Sequence, residues 1–181
     1  MKKSIVLLAL ITLSLSWGQD IFEKYEYDDS VSYFSINPKM FQMLAKLSIE
    51  TGDPEADKFI KLVEEIKSFK LITTERTEIA EDIQIWVEKH IKTQNLEELM
   101  RVRDIGAHVN FYVKSTENDN RVEKLLMFVT DINEDQIKLG NRKPETVLLY
   151  LTGDIDLNQI SKLVKEMNLP GGELLGKLNE K

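Results

Sequence analysis

From Leu96 onward the hydrophobic period of the chain changes from helical to alternating, and the change holds almost to residue 152. "EELMRVRD" turns at Gly106 into "AHVNFYVK", where Ala107, Val109, Phe111 and Val113 alternate with polar neighbours. "STENDN" is a turn by composition. "RVEKLLMFVT" then returns, apolar on both faces near its end, and "TVLLYLT" (146–152) is nearly all apolar. Four consecutive strands without an intervening helix imply an antiparallel meander, because a parallel crossover normally carries a helix. The two apolar runs belong inside the sheet, where both faces are covered.

Upstream the pattern is mixed. "VSYFSI" (31–36) is β-branched and aromatic and reads as a short strand. "NPKMFQMLAKLS" starts a helix: Asn37 caps it, Pro38 fits its first turn, and Met40, Phe41, Leu44 and Leu47 share one face. "DPEADKFIKLVEEI" repeats the device with Asp53 and Pro54, and Phe59, Ile60, Val63 and Ile66 form its stripe. "SFKLITT" (68–74) is a strand, and Ile79, Ile83, Trp86, Val87 and Ile91 mark a further helix. The order is β-α-α-β-α-β-β-β-β-α. The expected fold is one α+β domain over 19–168, a mainly antiparallel sheet with about four helices packed on it. Residues 19–30 are expected as a loose lead-in, 131–145 as a long polar loop, and 169–181 as a flexible tail.

The first eighteen residues read as a cleavable signal peptide. Lys2 and Lys3 precede an apolar run from Ile5 to Leu15, and Ser16 and Gly18 supply small residues at the spacing that signal peptidase requires. The run is shorter than the ~20 residues needed to span a bilayer. Cleavage after Gly18 is expected, giving a mature chain that starts at Gln19 and is periplasmic or secreted. The chain has no cysteine, hence no site for lipid attachment, and a domain of this length buries roughly 70% of its unfolded surface without disulfide staples. Its net charge is −7, and loss of Lys2 and Lys3 makes it more negative. Acids interleave with the basic residues throughout, which argues against nucleic acid and against docking on anionic lipid. No second stretch is long and apolar enough for a transmembrane segment.

Asp154 and Asp156, in "LTGDIDLNQI", look most like chemistry. With Asn158 they match the opening of a calcium loop, but Gln159 stands where that loop needs glycine and Lys165 where it needs a bidentate glutamate. The helix-entry reading accounts for more. With Asp156 as N-cap, Gln159 completes a capping box, and Ile155 and Ile160 form a hydrophobic staple. Asp53, Glu55 and Asp57 crowd a helix start, where the dipole favours negative charge. His90 and His108 are the only histidines and lie in different elements. Gly171-Gly172 follows a helix instead of opening one, so it does not cradle a phosphate. No Walker loop, G-x-S-x-G or H-E-x-x-H occurs. No catalytic residue or cofactor is assigned, and Asp154 and Asp156 remain the only metal candidates.

As a whole, "DIFEKYEYDDSVSYFSINPKMFQMLAKL", "DPEADKFIKLVEEIKSFKLITTE" and "LTGDIDLNQISKLVKEMNL" resemble a family of small exported proteins of the Bacteroidota, catalogued as a domain of unknown function and similar to DUF4252. The resemblance covers roughly residues 20–170. It implies a Gram-negative envelope setting and a single domain, with no established activity to carry over. Some relatives carry a lipid anchor, which this cysteine-free chain lacks.

Three functions compete. The first is a non-catalytic envelope protein that binds another protein or serves envelope signalling, with Phe22, Tyr25 and Tyr27 of the acidic lead-in as the candidate partner-binding residues. The second is a carrier of a small apolar ligand held between sheet and helices by residues such as Phe41, Trp86 and Phe128. The third is a metal-dependent hydrolase that uses Asp154 and Asp156.

Overall fold

The computed structural model describes residues 20–47, 65–104, 107–118, 120–132 and 144–157. Their elements are α1 (Ile21–Tyr25), β1 (Val31–Ile36), α2 (Pro38–Leu47), β2 (Ile66–Thr74) and α3 (Thr77–Gln94). Then follow β3 (Glu97–Asp104), β4 (Ala107–Ser115), β5 (Arg121–Thr130) and β6 (Thr146–Asp156). The six strands form one sheet in the order β1-β2-β6-β5-β4-β3, with every neighbouring pair antiparallel. This is the expected α+β fold: the meander β3-β4-β5-β6 is intact, and β6 closes it against β2.

Strands β5 and β6 are interior, which explains why both read as apolar on two faces. On one face, Phe69, Phe111, Leu125, Met127, Leu149 and Leu151 are buried together. On the other, Ile72, Leu126, Phe128 and Leu148 meet Ile79, Ile83 and Val87 of α3 and Ile21 and Phe22 of α1. Burying side chains of this size contributes about 1.5–3 kcal/mol each. Helix α2 follows β1 directly and lies against β2. Its entry is built as the order Asn37-Pro38 predicts, with Met40 N–H donating to Asn37 Oδ1 at 3.1 Å. Helix α3 ends where Asn95 takes the left-handed conformation at φ 51° and donates to the Ile91 carbonyl.

The lead-in departs from expectation. It is not loose: residues 21–25 form α1, capped by Asp20 Oδ1 accepting from Phe22 N–H at 3.1 Å. Tertiary contacts hold this single turn where its own propensity cannot. Lys24 Nζ and Tyr25 Oη both donate to Asp82 Oδ2 of α3, at 2.7 and 3.0 Å, and Lys70 Nζ of β2 reaches Asp20 Oδ2 at 3.0 Å. The described residues hold three helices, against the four or so expected. Ile66, expected on the apolar stripe of a helix over 53–66, instead opens β2 and is buried in the sheet core. Residues 53–64 of that expected helix, the helix expected beyond Asp156 (from 158 on), residues 133–143 of the loop expected over 131–145, and the tail lie outside the described residues.

The other departure concerns the two aspartates. Strand β6 runs through them to Asp156, four residues beyond the expected end, and Leu157 is already helical. Ile155 therefore sits in the sheet core, opposite Val122 and fully buried, where a staple position was expected. Gly153 makes the extension feasible. Its φ is 158°, and a Cβ there would lie 2.3 Å from the Glu65 carbonyl oxygen. Register shifts occur on both sides of this point, between Ile66 and Ser68 of β2 and between Val122 and Lys124 of β5. Such irregular registers are the mark of β-bulges.

Candidate functional site

Helix α3 covers only part of its face of the sheet. Beyond Phe128 the cross-strand rows turn polar: Arg101 pairs with Asn110 and Asn110 with Phe128, while Arg103 pairs with His108 and His108 with Thr130. A cleft of about 310 Å³ lies between these rows and α3. The helix offers it Gln84, Val87, Glu88 and Ile91, whose spacing places them on one helical face. Val87, Ile91, Val102, Tyr112 and Phe128 make the apolar part of the lining, and Arg101, Arg103, His108, Asn110, Thr130 and Asp131 belong to the polar part.

Some of these groups are committed. His108 Nδ1 lies 2.5 Å from Asp131 Oδ2. A carboxylate only accepts, so the nitrogen that faces it, Nδ1, carries a proton. Asp131 holds the left-handed conformation at φ 53°, which places its carboxylate beside the end of β5. Arg101 pairs with Glu98 on its own strand, and Gln84 Nε2 donates to Glu88 Oε1 at 3.1 Å. Others are uncommitted: the side chains of Arg103 and Asn110 have no hydrogen-bond or ion-pair partner among the described residues.

The cleft offers hydrogen-bond donors to a ligand. A nucleophilic triad sets a hydroxyl on the imidazole nitrogen that faces away from the acid. The Thr130 hydroxyl, beside this pair, contacts Asp131 instead, at 3.4 Å. A guanidinium and a carboxamide above apolar side chains provide a fork of donors with a desolvating surround.

The candidate residues read from the sequence are scattered. Phe22 is 0% exposed and belongs to the core: it meets Trp86 edge-on at 5.8 Å and stacks near Tyr150 at 6.3 Å. Tyr25 is half-buried against α3, and Tyr27 alone of the three stands free, at 89% exposure. Trp86 is packed against the His90 ring, Phe128 lines the cleft, and the side chain of Phe41 lies outside the described residues. Asp154 accepts from Arg121 Nε at 2.6 Å, and its carbonyl accepts from Arg121 Nη2 at 2.6 Å. Glu65 Oε2 approaches the same Nη2 to 3.0 Å, an ion pair and not an aligned hydrogen bond. Asp154 first and Glu65 second raise the proton affinity of Arg121 above its ordinary value. Asp156 ends β6 opposite Arg121. Asp53, Glu55, Asp57 and Gly171-Gly172 lie outside the described residues. Among the described residues, no three His, Cys, Asp or Glu side chains gather closely enough to hold a metal.

A family model described as "Domain of unknown function (DUF4252)" matches residues 25–163, most of the chain. The chain belongs to this family. The DUF4252 match takes in all six strands, so the sheet and its cleft fall within the family's domain. No curated protein and no solved structure matches the chain.

The cleft escaped the sequence reading because its residues come from four elements. One signal was present. The β3–β4 register pairs Arg103 with His108 and Arg101 with Asn110, and alternation then sets all four on one face. The eye goes instead to the apolar positions of the same two strands.

Proposed function

We propose that this DUF4252 protein is a non-catalytic accessory module of the cell envelope that binds another protein, and that the α3–β3–β4 cleft is its recognition site. The observation that carries the reading is the uncommitted pair Arg103 and Asn110, set beside Val87, Ile91 and Phe128. Unpaired polar groups next to an apolar surface are the usual makings of an interaction centre, and arginine is prominent among residues that dominate binding energy. The envelope address is supported by the basic start, the short apolar run and the small residues at Ser16 and Gly18. In the described residues, no helix is long and apolar enough to cross a membrane.

The test is a quantitative pull-down from envelope extract with the wild-type protein and with the double variant Arg103→Glu, Asn110→Ala. A protein captured by the wild type is expected to be recovered about tenfold less by the variant, equivalent to about 1.4 kcal/mol of binding. Equal recovery by both would remove the cleft from the reading. Intact mass of the exported protein checks the address separately, with a chain starting at Gln19 expected.

A further inference from the structure

The two edges of the sheet differ in a way the cleft does not explain. Strand β3, at one edge, carries Glu97, Glu98, Arg101, Arg103 and Asp104 in eight residues. Strand β1, at the other, has no charged residue in six, "VSYFSI". Charge on an edge strand is a common guard against pairing with another chain, and β1 lacks it. Its Phe34 is 47% exposed, although the ring meets Phe69 edge-on at 5.6 Å, and Ser35 beside it is also exposed. The chain turns directly from β1 into α2, where Met40 and Met43 are 45% and 50% exposed. Half of the exposed large apolar side chains among the described residues thus cluster along this one short stretch of chain.

Alternate residues of β1 point their backbone groups away from the sheet. Val31 is paired with Thr74 of β2, and the Thr74 carbonyl accepts from Glu145 N–H at 2.8 Å, on the β6 side. Thr74 therefore points its backbone groups away from β1, and Val31 points its own away from β2. The Val31 N–H indeed donates outward, to the Asp28 carbonyl at 3.0 Å. Alternation along an antiparallel strand then turns the N–H and C=O of Tyr33 and Ser35 outward as well.

We infer that β1 is a dimerisation edge, and that its occupant is β1 of a second copy of this chain, running antiparallel about a two-fold axis at Phe34. In this register Tyr33 and Ser35 of each copy form hydrogen-bonded pairs with Ser35 and Tyr33 of the other. Phe34 faces Phe34 at the closer, non-hydrogen-bonded position, where an aromatic pair is favourable. No charge opposes a like charge. The other edge is guarded: β3 carries five charged residues and a register irregularity between Glu98 and Met100, both of which oppose regular pairing with another chain. Self-complementarity at one edge and a charged, irregular strand at the other give a closed dimer and no open fibre. The product is a continuous twelve-stranded sheet whose two clefts, centred on β4, lie roughly 43 Å apart, from a strand spacing of about 4.8 Å. A dimer thus presents two recognition sites to a multivalent partner. The inference does not depend on what the clefts hold.

Light scattering after size exclusion, across a dilution series of the purified protein, reads the state directly. The wild type is expected to show a dimer mass that falls toward the monomer on dilution. Ser35→Pro removes one outward N–H without touching the β1–β2 ladder, and Phe34→Glu sets two carboxylates face to face. Both variants are expected to remain monomeric at every concentration, with unchanged circular dichroism. A wild type that is monomeric throughout overturns the proposal, as does a dimer that survives Ser35→Pro with its fold intact. If either variant alone fails to fold, the other decides.

Discussion

The imidazole of His90 lies almost parallel to the indole of Trp86, with ring centroids 4.2 Å apart, and meets Tyr150 edge-on at 5.1 Å. Its Nε2 is buried and has no hydrogen-bond partner among the described residues. Burial chiefly, and then the charge of Lys124, push the pKa of His90 below 6.5, while Asp20 pulls the other way. Burial likewise lifts the Tyr150 phenol to about 12, with Asp20 adding to the effect.

These directions set a pH dependence. On acidification the unfolded chain protonates this histidine first, near 6.5, while the folded chain resists. Stability is therefore full above 6.5 and is lost as pH falls from there toward the folded value. The urea midpoint is expected to be lower at pH 5.5 than at pH 7.5. His90→Phe, which keeps an aromatic ring against Trp86, should shrink that difference markedly. A midpoint difference that is the same in both proteins would place the titration elsewhere.

Phe22 and Tyr27 separate packing from exposure within the same short segment. Phe22→Ala is expected to cost about 3–5 kcal/mol, as large-to-small changes in a core do, with a matching fall in thermal midpoint. Tyr27→Ser should change stability by no more than about 0.5 kcal/mol. Removing residues 19–30 would therefore expose the core around Trp86 and Tyr150, so a partner lost on such a deletion says little about docking. Chemical denaturation of the two point variants checks the contrast.

The meander was readable because its strands alternate and its interior members are apolar on both faces; that pattern depends only on neighbours in sequence. The N-cap of α2 was readable for the same reason, since Asn37 and Pro38 are adjacent. Helix α1 was not. Five residues are too few for helical periodicity to show, and what holds them is distant: Asp82, Lys70 and the Trp86 ring. The end of β6 was misplaced because the pull to continue the strand comes from Glu65, Arg121 and Val122, all far along the chain. The cleft has the same character. Its polar residues are ordinary one at a time, and only the β3–β4–β5 register brings them together.

Gly153 is the point where β6 passes the start of β2. A methyl group there meets the Glu65 carbonyl oxygen at 2.3 Å, and φ of 158° is one that L-residues rarely adopt. Backbone strain of this kind costs about 1–3 kcal/mol. Gly153→Ala is expected to destabilise by about 2 kcal/mol, and protection of the amides of Ser68 and Thr152 from hydrogen exchange should fall first. An alanine variant as stable as the wild type would mean that β2 and β6 can separate here at little cost.

Asp154 is held by Arg121 through both its side chain and its carbonyl, so substitution removes only part of the contact. The carboxylate is 63% exposed, which leaves its ion pair screened by water. Asp154→Asn is therefore expected to cost about 1 kcal/mol or less. Arg121→Ala should cost more, because it strands Glu65, whose Oε2 is buried, without its cation. If the two aspartates instead served a metal, the variant Asp154→Asn, Asp156→Asn would abolish calcium or zinc binding measured by calorimetry, and the wild type would gain thermal stability with either ion. The ion pair to Arg121 leads to the opposite expectation: no heat of binding in either protein, and a melting temperature indifferent to metal or chelator.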